Sequence, residues 1–121
     1  MKKWVYMLAI VVTLNCSAYA DRGITASGEY VRDGICAMDR VNGKVVPFGS
    51  KVVLPNGKVL IVKDRFGAGH NNHLDIWMPT KNECWQFGRR NLVCRVEAYK
   101  PAAGNQPQAP RHRSAQHTSR H

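Results

Sequence analysis

The chain has 121 residues, 44% of them hydrophobic, which is enough for one small domain and excludes a multidomain protein. Its 18 Lys and Arg residues against 8 Asp and Glu residues give a formal net charge of +10, so we expect attraction to acidic polymers. No phosphate-binding loop, Ser-His-Asp order or Cys-His nucleophile signature is visible, which argues against several common enzyme classes.

The first 20 residues have the pattern of an export signal. Lys2 and Lys3 precede an apolar stretch at residues 4–14, and Ala18 and Ala20 provide the small residues of a cleavage site. We predict cleavage after Ala20, which would lower the net charge from +10 to +8. An uncleaved N-terminal anchor is the alternative, although the stretch is short for a membrane span. The predicted location is therefore the periplasm or the exterior, where a basic protein meets anionic cell-wall or membrane surfaces more often than nucleic acid, so no specific nucleic-acid partner is expected.

Residues 21–99 have the pattern of a small domain of short strands. Asn56-Gly57 lies between two runs rich in β-branched residues, which is a strong hairpin signal. Further strands are predicted at residues 74–78 and 92–96 from their apolar alternation, and the hairpin strands lie around Val52 and residues 59–62. We therefore predict a mainly β fold, a small and mostly antiparallel barrel.

One short helix is predicted at residues 80–87. Thr80 can cap its start, Glu83 stands three residues later as in a capping box, and Gly88 suits its end. Residues 100–121 contain basic residues and His among Pro, Gln, Ala and Ser, with no acidic residue, which predicts a disordered tail. We favour a solvated spacer for this tail over an electrostatic tether to the wall.

Three aspartates stand at the ends of apolar runs. Asp64 and Asp75 are eleven positions apart and bracket a glycine-bearing loop, and Asp39 ends the apolar run at residues 34–38. Carboxylates brought to one edge of a barrel can form an acid/base site, because clustered carboxylates raise the pKa of one of them. Each also has a turn-forming alternative, which is equally good for Asp39.

Several segments together resemble the 3D (Asp-Asp-Asp) domain family, whose members are double-psi β-barrels acting on bacterial cell-wall glycan. The chain more distantly resembles the rare lipoprotein A family. The resemblance implies a six-stranded double-psi barrel at residues 21–99. The segments that carry it are residues 23–28, 34–39, 46–52, 64–77 and 85–90.

The resemblance also implies a function. It indicates a peptidoglycan lytic transglycosylase that acts on glycan strands and cleaves the MurNAc-GlcNAc bond with 1,6-anhydro product formation. We also expect a monomer with no cofactor or metal. The family's acid/base maps onto Asp75, and Asp64 and Asp39 would orient it and raise its pKa. Thr25, Gly67 and Trp77 would contact substrate. A noncatalytic glycan-binding module is the first alternative, and a structural or lysis-associated wall protein is the second.

Two segments depart from the family pattern. Gly69, His70 and Asn71 stand in the loop where family members carry an apolar residue, Lys and Gly. Residues 17–19 occupy the place of the family's first strand, and cleavage after Ala20 would remove them. The domain therefore either lacks that strand or uses the signal-like segment in its place.

The remaining candidates are weaker. His70 and His73 could begin a zinc site, but exposed loop histidines are the better interpretation because no third ligand stands at a suitable spacing. Trp77 and Trp85 could stack on sugars, although core packing is favoured for both. Cleavage would leave three cysteines, Cys36, Cys84 and Cys94, and we predict Cys84 and Cys94 as the disulfide pair.

Overall fold

The computed structural model describes residues 4–101, with side chains from residue 9 to residue 99. It contains eight strands and one helix within that range. In chain order these are β1 (Trp4–Tyr19), β2 (Ile35–Ala37), β3 (Arg40–Val41), β4 (Lys44–Val45), β5 (Lys51–Val53), β6 (Val59–Asp64), β7 (His73–Trp77), α1 (Lys81–Phe87) and β8 (Arg90–Pro101).

Six of the strands form a closed barrel in the order β1-β7-β2-β6-β5-β8, and β8 pairs with β1 to close it. β1 is parallel to β7 and β2 is parallel to β6, while the other four pairs are antiparallel. β3 and β4 form a separate two-stranded hairpin. The predicted fold class, mainly β with a six-stranded barrel and one short helix, is confirmed.

Local signals placed the β5–β6 hairpin correctly. Val53 pairs with Val59, and the turn between them is closed by hydrogen bonds from Leu54 N to Lys58 O and from Gly57 N to Leu54 O. Gly57 has a φ of 91°, a conformation that glycine adopts without steric cost. The predicted strands around Val52 and at residues 59–62, 74–78 and 92–96 are all present, except that β7 ends one residue before position 78.

The helix also follows its capping signals. Glu83 N donates a hydrogen bond of 3.1 Å to Thr80 Oγ1, and Thr80 Oγ1 donates one of 3.0 Å back to the Glu83 carboxylate, which completes a capping box. Gly88 ends the helix with a φ of 64°. Within residues 4–101, no helix has the length and apolar character needed to cross a membrane.

Alternation of side chains along the strands builds the core. On β6, Leu60 and Val62 are buried, and on β7, Leu74 and Ile76 are buried, while the residues between them face the other side of the sheet. All of these side chains meet inside the barrel. The buried core cluster contains Leu14, Cys16, Cys36, Met38, Val41, Val46, Val52, Leu54, Leu60, Val62, Leu74, Ile76, Cys94 and Val96.

The signal-like segment is a strand of this barrel. β1 pairs with β8 from Trp4 to Cys16 and with β7 from Asn15 to Tyr19. Leu14 and Cys16 are fully buried in the core. Of the two alternatives stated above, the structure therefore has the one in which this segment serves as the first strand. Cleavage after Ala20 stays a prediction, and it would remove the strand that closes the barrel.

At the other end of the chain, β8 continues to Pro101, two residues beyond the predicted domain boundary at residue 99. The rest of the predicted tail, residues 102–121, lies outside the described residues.

The predicted Cys84–Cys94 disulfide is not formed, and all four cysteines are free thiols. Cys94 is buried among the inward-facing core residues, whereas Cys84 lies on α1, which contributes no buried residue. The two cysteines are close in sequence, but one lies on the helix outside the core and the other lies inside the barrel.

Candidate active site

Two of the three aspartates lie in one row across the barrel wall. Ser17 on β1 pairs with Asp75 on β7, Asp75 pairs with Ala37 on β2, and Ala37 pairs with Asp64 on β6. A register shift between Cys36 and Ala37 brings Asp64 to this level. Asp64 and Asp75 are thus separated by two strand spacings, about 10 Å between their Cα atoms.

Asp75 has a carboxylate that is only partly engaged. It is half-buried and alternates with the buried Leu74 and Ile76, so it faces away from the core. Its Oδ1 accepts a hydrogen bond of 2.8 Å from Ser17 Oγ. Among the described residues, its Oδ2 has no hydrogen-bond partner, so one oxygen is available to a ligand.

The pKa of Asp75 is raised above the ordinary value of an aspartate. Burial is the largest cause, and the negative charges of Asp21 and Asp64 add to it, whereas the Ser17 hydrogen bond and the charge of Arg89 act in the opposite direction. An available oxygen and an upward shift of the pKa are both in the direction that a general acid requires.

Asp64 is a buried structural junction. Its side chain is 2% exposed, and Oδ1 accepts hydrogen bonds of 2.9 Å from both Ala26 N and Arg65 N. Its Oδ2 accepts one of 2.9 Å from Tyr19 Oη. Burial and the nearby Asp64 charge raise the pKa of Tyr19 far above its usual value, so the phenol stays protonated and continues to donate. Asp64 thus joins β1, β6 and the segment after β1, and its charge acts on Asp75 as expected.

Asp39 holds the loop that follows β6. It is buried, and its Oδ1 accepts a hydrogen bond of 2.8 Å from Phe66 N while its Oδ2 accepts one of 2.9 Å from His70 N. These two hydrogen bonds agree with the turn-forming alternative for Asp39. Its expected effect on the pKa of Asp75 stays a prediction.

Thr25 and Gly67, two of the predicted substrate-contacting residues, differ in their exposure to solvent. Thr25 is buried, and its Oγ1 donates to Glu29 O at 2.9 Å and shares a hydrogen bond of 3.0 Å with Ser27 Oγ, so it closes a turn. Gly67 lies in the exposed loop after β6 with a φ of 96°. Of these two residues, Gly67 alone is placed to meet a ligand.

The two tryptophans also differ. Trp77 is buried, with its Nε1 donating to Asp21 O at 2.9 Å and the Arg22 guanidinium 5.5 Å from its ring centre, so it offers no open face to a sugar. Core packing, the favoured interpretation, suits Trp77. For Trp85 that interpretation is wrong, because its side chain on α1 is 83% exposed.

An open depression of about 200 Å³ lies beside the row of aspartates. Arg65, which follows Asp64 directly, donates from Nη1 to Met38 O at 2.7 Å and lies 4.1 Å from the centre of the Phe48 ring. Burial lowers the pKa of Arg65, and the charges of Asp39 and Asp64 act against that shift. The depression is lined by Asp39, Arg40, Val45, Arg65, Gly67 and Gly69.

The loop histidines lie close together at the same end of the barrel. The rings of His70 and His73 are 5.3 Å apart, and Phe66 packs edge-on against His70 at 5.0 Å. In the part of the chain that the structure describes, no group of three or more His, Cys, Asp or Glu residues is placed to hold a metal ion.

Sequence reasoning missed Ser17 and Tyr19, the two hydroxyl donors to the aspartates. Both lie in the segment that was interpreted as an export signal. Their position could have identified them, because residues 17–19 stand where the 3D-domain family, which the chain resembles, has the end of its first strand.

No protein-family model matches the chain, and no curated protein matches it.

Replacing Ser17 by Ala is expected to raise the pKa of Asp75 further, because the lost hydrogen bond favours the ionised carboxylate. Titration of the Asp75 carboxyl carbon by NMR would measure this directly. Ser17→Thr keeps a hydroxyl donor and should restore the wild-type value. An unchanged pKa in Ser17→Ala would show that the hydroxyl does not control Asp75.

Proposed function

We propose that the protein is an exported peptidoglycan lytic transglycosylase of the 3D-domain type, with Asp75 as its acid/base. One observation carries this proposal. Asp75 combines a raised pKa with an unengaged oxygen on the outward side of β7, while Asp64 and Asp39 have hydrogen-bond donors on both oxygens. A glycan strand lying across the row would meet one available carboxyl group.

A single carboxyl group is sufficient for this reaction. Protonated Asp75 would donate its proton to the bridging oxygen as the bond from C1 of MurNAc to that oxygen breaks. The resulting carboxylate would then take the proton of the 6-hydroxyl of the same sugar, while O6 bonds to C1 and closes the 1,6-anhydro ring. No water and no second catalytic carboxylate take part, and Asp75 ends protonated again.

Asp64 would act as a positioning residue. Hydrogen bonds from two backbone amides and from the Tyr19 hydroxyl fix it beneath the site. Its negative charge disfavours ionisation of Asp75 and so helps to keep the acid protonated before the reaction.

The charge of the chain supports the proposed place of action. Peptidoglycan carries many carboxylates, and a formal net charge of +10 favours its association with such a polymer. We include in the proposal that the protein acts at the cell wall, in the periplasm or outside the cell.

A noncatalytic glycan-binding module is the second candidate. It is favoured by the open surface around Asp75, since the depression beside the row is lined by other residues and does not enclose that carboxyl group. Such a module would use the same outer face of β7 and the loop after β6 without breaking a bond.

Incubation of the purified protein with peptidoglycan sacculi tests both candidates. Mass spectrometry of the released muropeptides is expected to detect products ending in 1,6-anhydro-MurNAc. Protein that sediments with sacculi but releases no anhydro product would reject the enzyme and support the binding module.

A further inference from the structure

We propose that the depression beside the aspartates is a binding site for a carboxylate group of the glycan substrate. This inference rests on the proposed function for the identity of the ligand. The site lies between the β3–β4 hairpin and the loop after β6, and it is called here the arginine depression: Arg40, Val45, Arg65, Gly67 and Gly69, with Asp39 at its side.

The guanidinium groups of the arginine depression have donors to spare. Within the described residues, the Arg65 guanidinium donates to Met38 O alone, and the Arg40 guanidinium donates to Gly43 O alone, at 3.3 Å. Each guanidinium carries five N–H groups, so most of them have no protein acceptor. The half-buried position of Arg65 makes such unpaired donors costly, and an anionic ligand would satisfy them.

The carboxylate of Asp39 does not use up these donors. Its two oxygens accept the backbone N–H groups of Phe66 and His70. The lining itself has two arginines and one aspartate, and the charge of the adjacent Asp64 also acts on Arg65. The unpaired guanidinium N–H groups, and not the net charge, therefore favour an anion at this site.

The walls of the arginine depression are preorganised. Arg65 is held by the Met38 carbonyl and by stacking on the Phe48 ring, so little side-chain entropy remains to be lost on binding. The loop is fastened to the β3–β4 turn by hydrogen bonds of 2.7 Å, from Gly43 N to Asn71 Oδ1 and from Asn42 N to Asn72 Oδ1.

Gly69 lies beside Arg40 in the lining of the arginine depression. Gly69 has a φ of 71°, and a Cβ atom at this position would lie 3.5 Å from Arg40 Nε. That distance is an ordinary van der Waals contact, so it is the positive φ that favours glycine at this position. The loop residues that depart from the family pattern thus include Gly69 in the lining and Asn71 in a hydrogen bond to the β3–β4 turn.

The placement suits a substrate that also reaches Asp75. Asp39 follows Ala37 by two positions and Arg65 follows Asp64 by one, so the depression continues from the row of residues that contains Asp75. The depression adjoins the Asp64 end of this row, so a glycan that spans the row would contact both the arginines and Asp75. Planar carboxylates match the fork of a guanidinium better than other common anions of the wall except phosphate.

Peptidoglycan offers this chemistry from two sources. One is the lactyl carboxylate of MurNAc, which is free where the stem peptide has been removed, and the other is the set of carboxylates on the stem peptide. The probes are therefore peptide-free glycan oligomers, peptide-bearing oligomers, and peptide-free oligomers whose carboxylates have been converted to amides.

Binding of these three probes to the full chain, measured by calorimetry, tests the proposal. Wild-type protein should bind the amidated oligomer about tenfold more weakly than its carboxylate form. Arg65→Gln and Arg40→Gln should weaken binding of the carboxylate form by a similar factor and leave the amidated form unaffected. The tighter of the two carboxylate probes identifies the source.

Arg95→Gln is the matched control. Arg95 is exposed on β8 and forms an ion pair of 3.0 Å with Glu97. Its replacement by Gln removes the same charge as Arg65→Gln but does not alter the arginine depression. It should change binding less than twofold by this argument. Equal losses in Arg95→Gln and Arg65→Gln, or equal binding of amidated and carboxylate oligomers, would overturn the proposal. Because exposed Arg40 can be replaced without disturbing the core, a folding defect in Arg65→Gln would leave the test intact.

The outcome is separable from that of the proposed function. Carboxylate-dependent binding without anhydro products would keep the arginine depression and reject the transglycosylase. Release of anhydro products without carboxylate-dependent binding would keep the transglycosylase and reject the arginine depression as a carboxylate site.

Discussion

Asp75→Asn is expected to lower the release of 1,6-anhydro products by about 10²–10⁴-fold while the barrel stays folded. Asparagine keeps an oxygen that can accept the hydrogen bond of Ser17 Oγ, so the local structure is preserved. It has no proton to give to the leaving oxygen and cannot take one from the 6-hydroxyl. Time courses of muropeptide release measure the effect, and sedimentation with sacculi should show that glycan binding persists.

Asp64→Asn is the control for this prediction. Its side-chain oxygen can still accept from Ala26 N and Arg65 N, and its amide can donate to Tyr19 Oη, so the fold should survive. Activity should fall less than in Asp75→Asn, because a residue that tunes a pKa is more dispensable than the proton donor. Equal activity of Asp75→Asn and wild type would contradict the assignment of the acid/base role to Asp75.

The elements that sequence patterns predicted correctly are those with strong local signals. The Asn56-Gly57 turn and the capping box of Thr80 and Glu83 involve residues at most four positions apart, and both form as expected. The eleven-residue spacing also brought Asp64 and Asp75 to one level of the barrel. The roles of the aspartates were harder to predict, because hydrogen bonds from distant backbone amides decide which carboxylate is available.

The sequence left the role of the N-terminal segment open between two alternatives for a different reason. An apolar run that ends in small residues has the composition of an export signal and also that of a barrel strand buried on one side. The strand pattern is visible just before the predicted cleavage site. Polar residues alternate there with buried ones: Thr13, Asn15 and Ser17 with Leu14 and Cys16. Pairing with β7 and β8, which are far away in sequence, decides between the two.

A chain of residues 21–121 is expected to lack the cooperative unfolding transition of the full chain. It loses two fully buried core residues, Leu14 and Cys16, and leaves the facing edges of β7 and β8 without their partner strand. It also loses Ser17 and Tyr19, the hydroxyl donors to Asp75 and Asp64. Denaturant unfolding followed by circular dichroism compares the two chains, and the intact mass of the exported protein tells which form the cell contains.

Two substitutions in the full chain test whether β1 contributes to the stability of the barrel. Leu14→Ala should lower the free energy of unfolding by about 2–5 kcal/mol, because it leaves a cavity where the barrel core is fully packed. Val11→Ala, at a position that is 71% exposed on the same strand, should change it by less than about 0.5 kcal/mol. Equal stabilities for both variants and wild type, together with a cooperative transition in residues 21–121, would show that the barrel does not need β1. A large effect of Leu14→Ala without an effect of Val11→Ala would mean that the folded protein needs β1. The form that has the described site would then keep its N-terminal segment, because cleavage after Ala20 removes Leu14 and also the hydroxyl groups that hold Asp64 and Asp75.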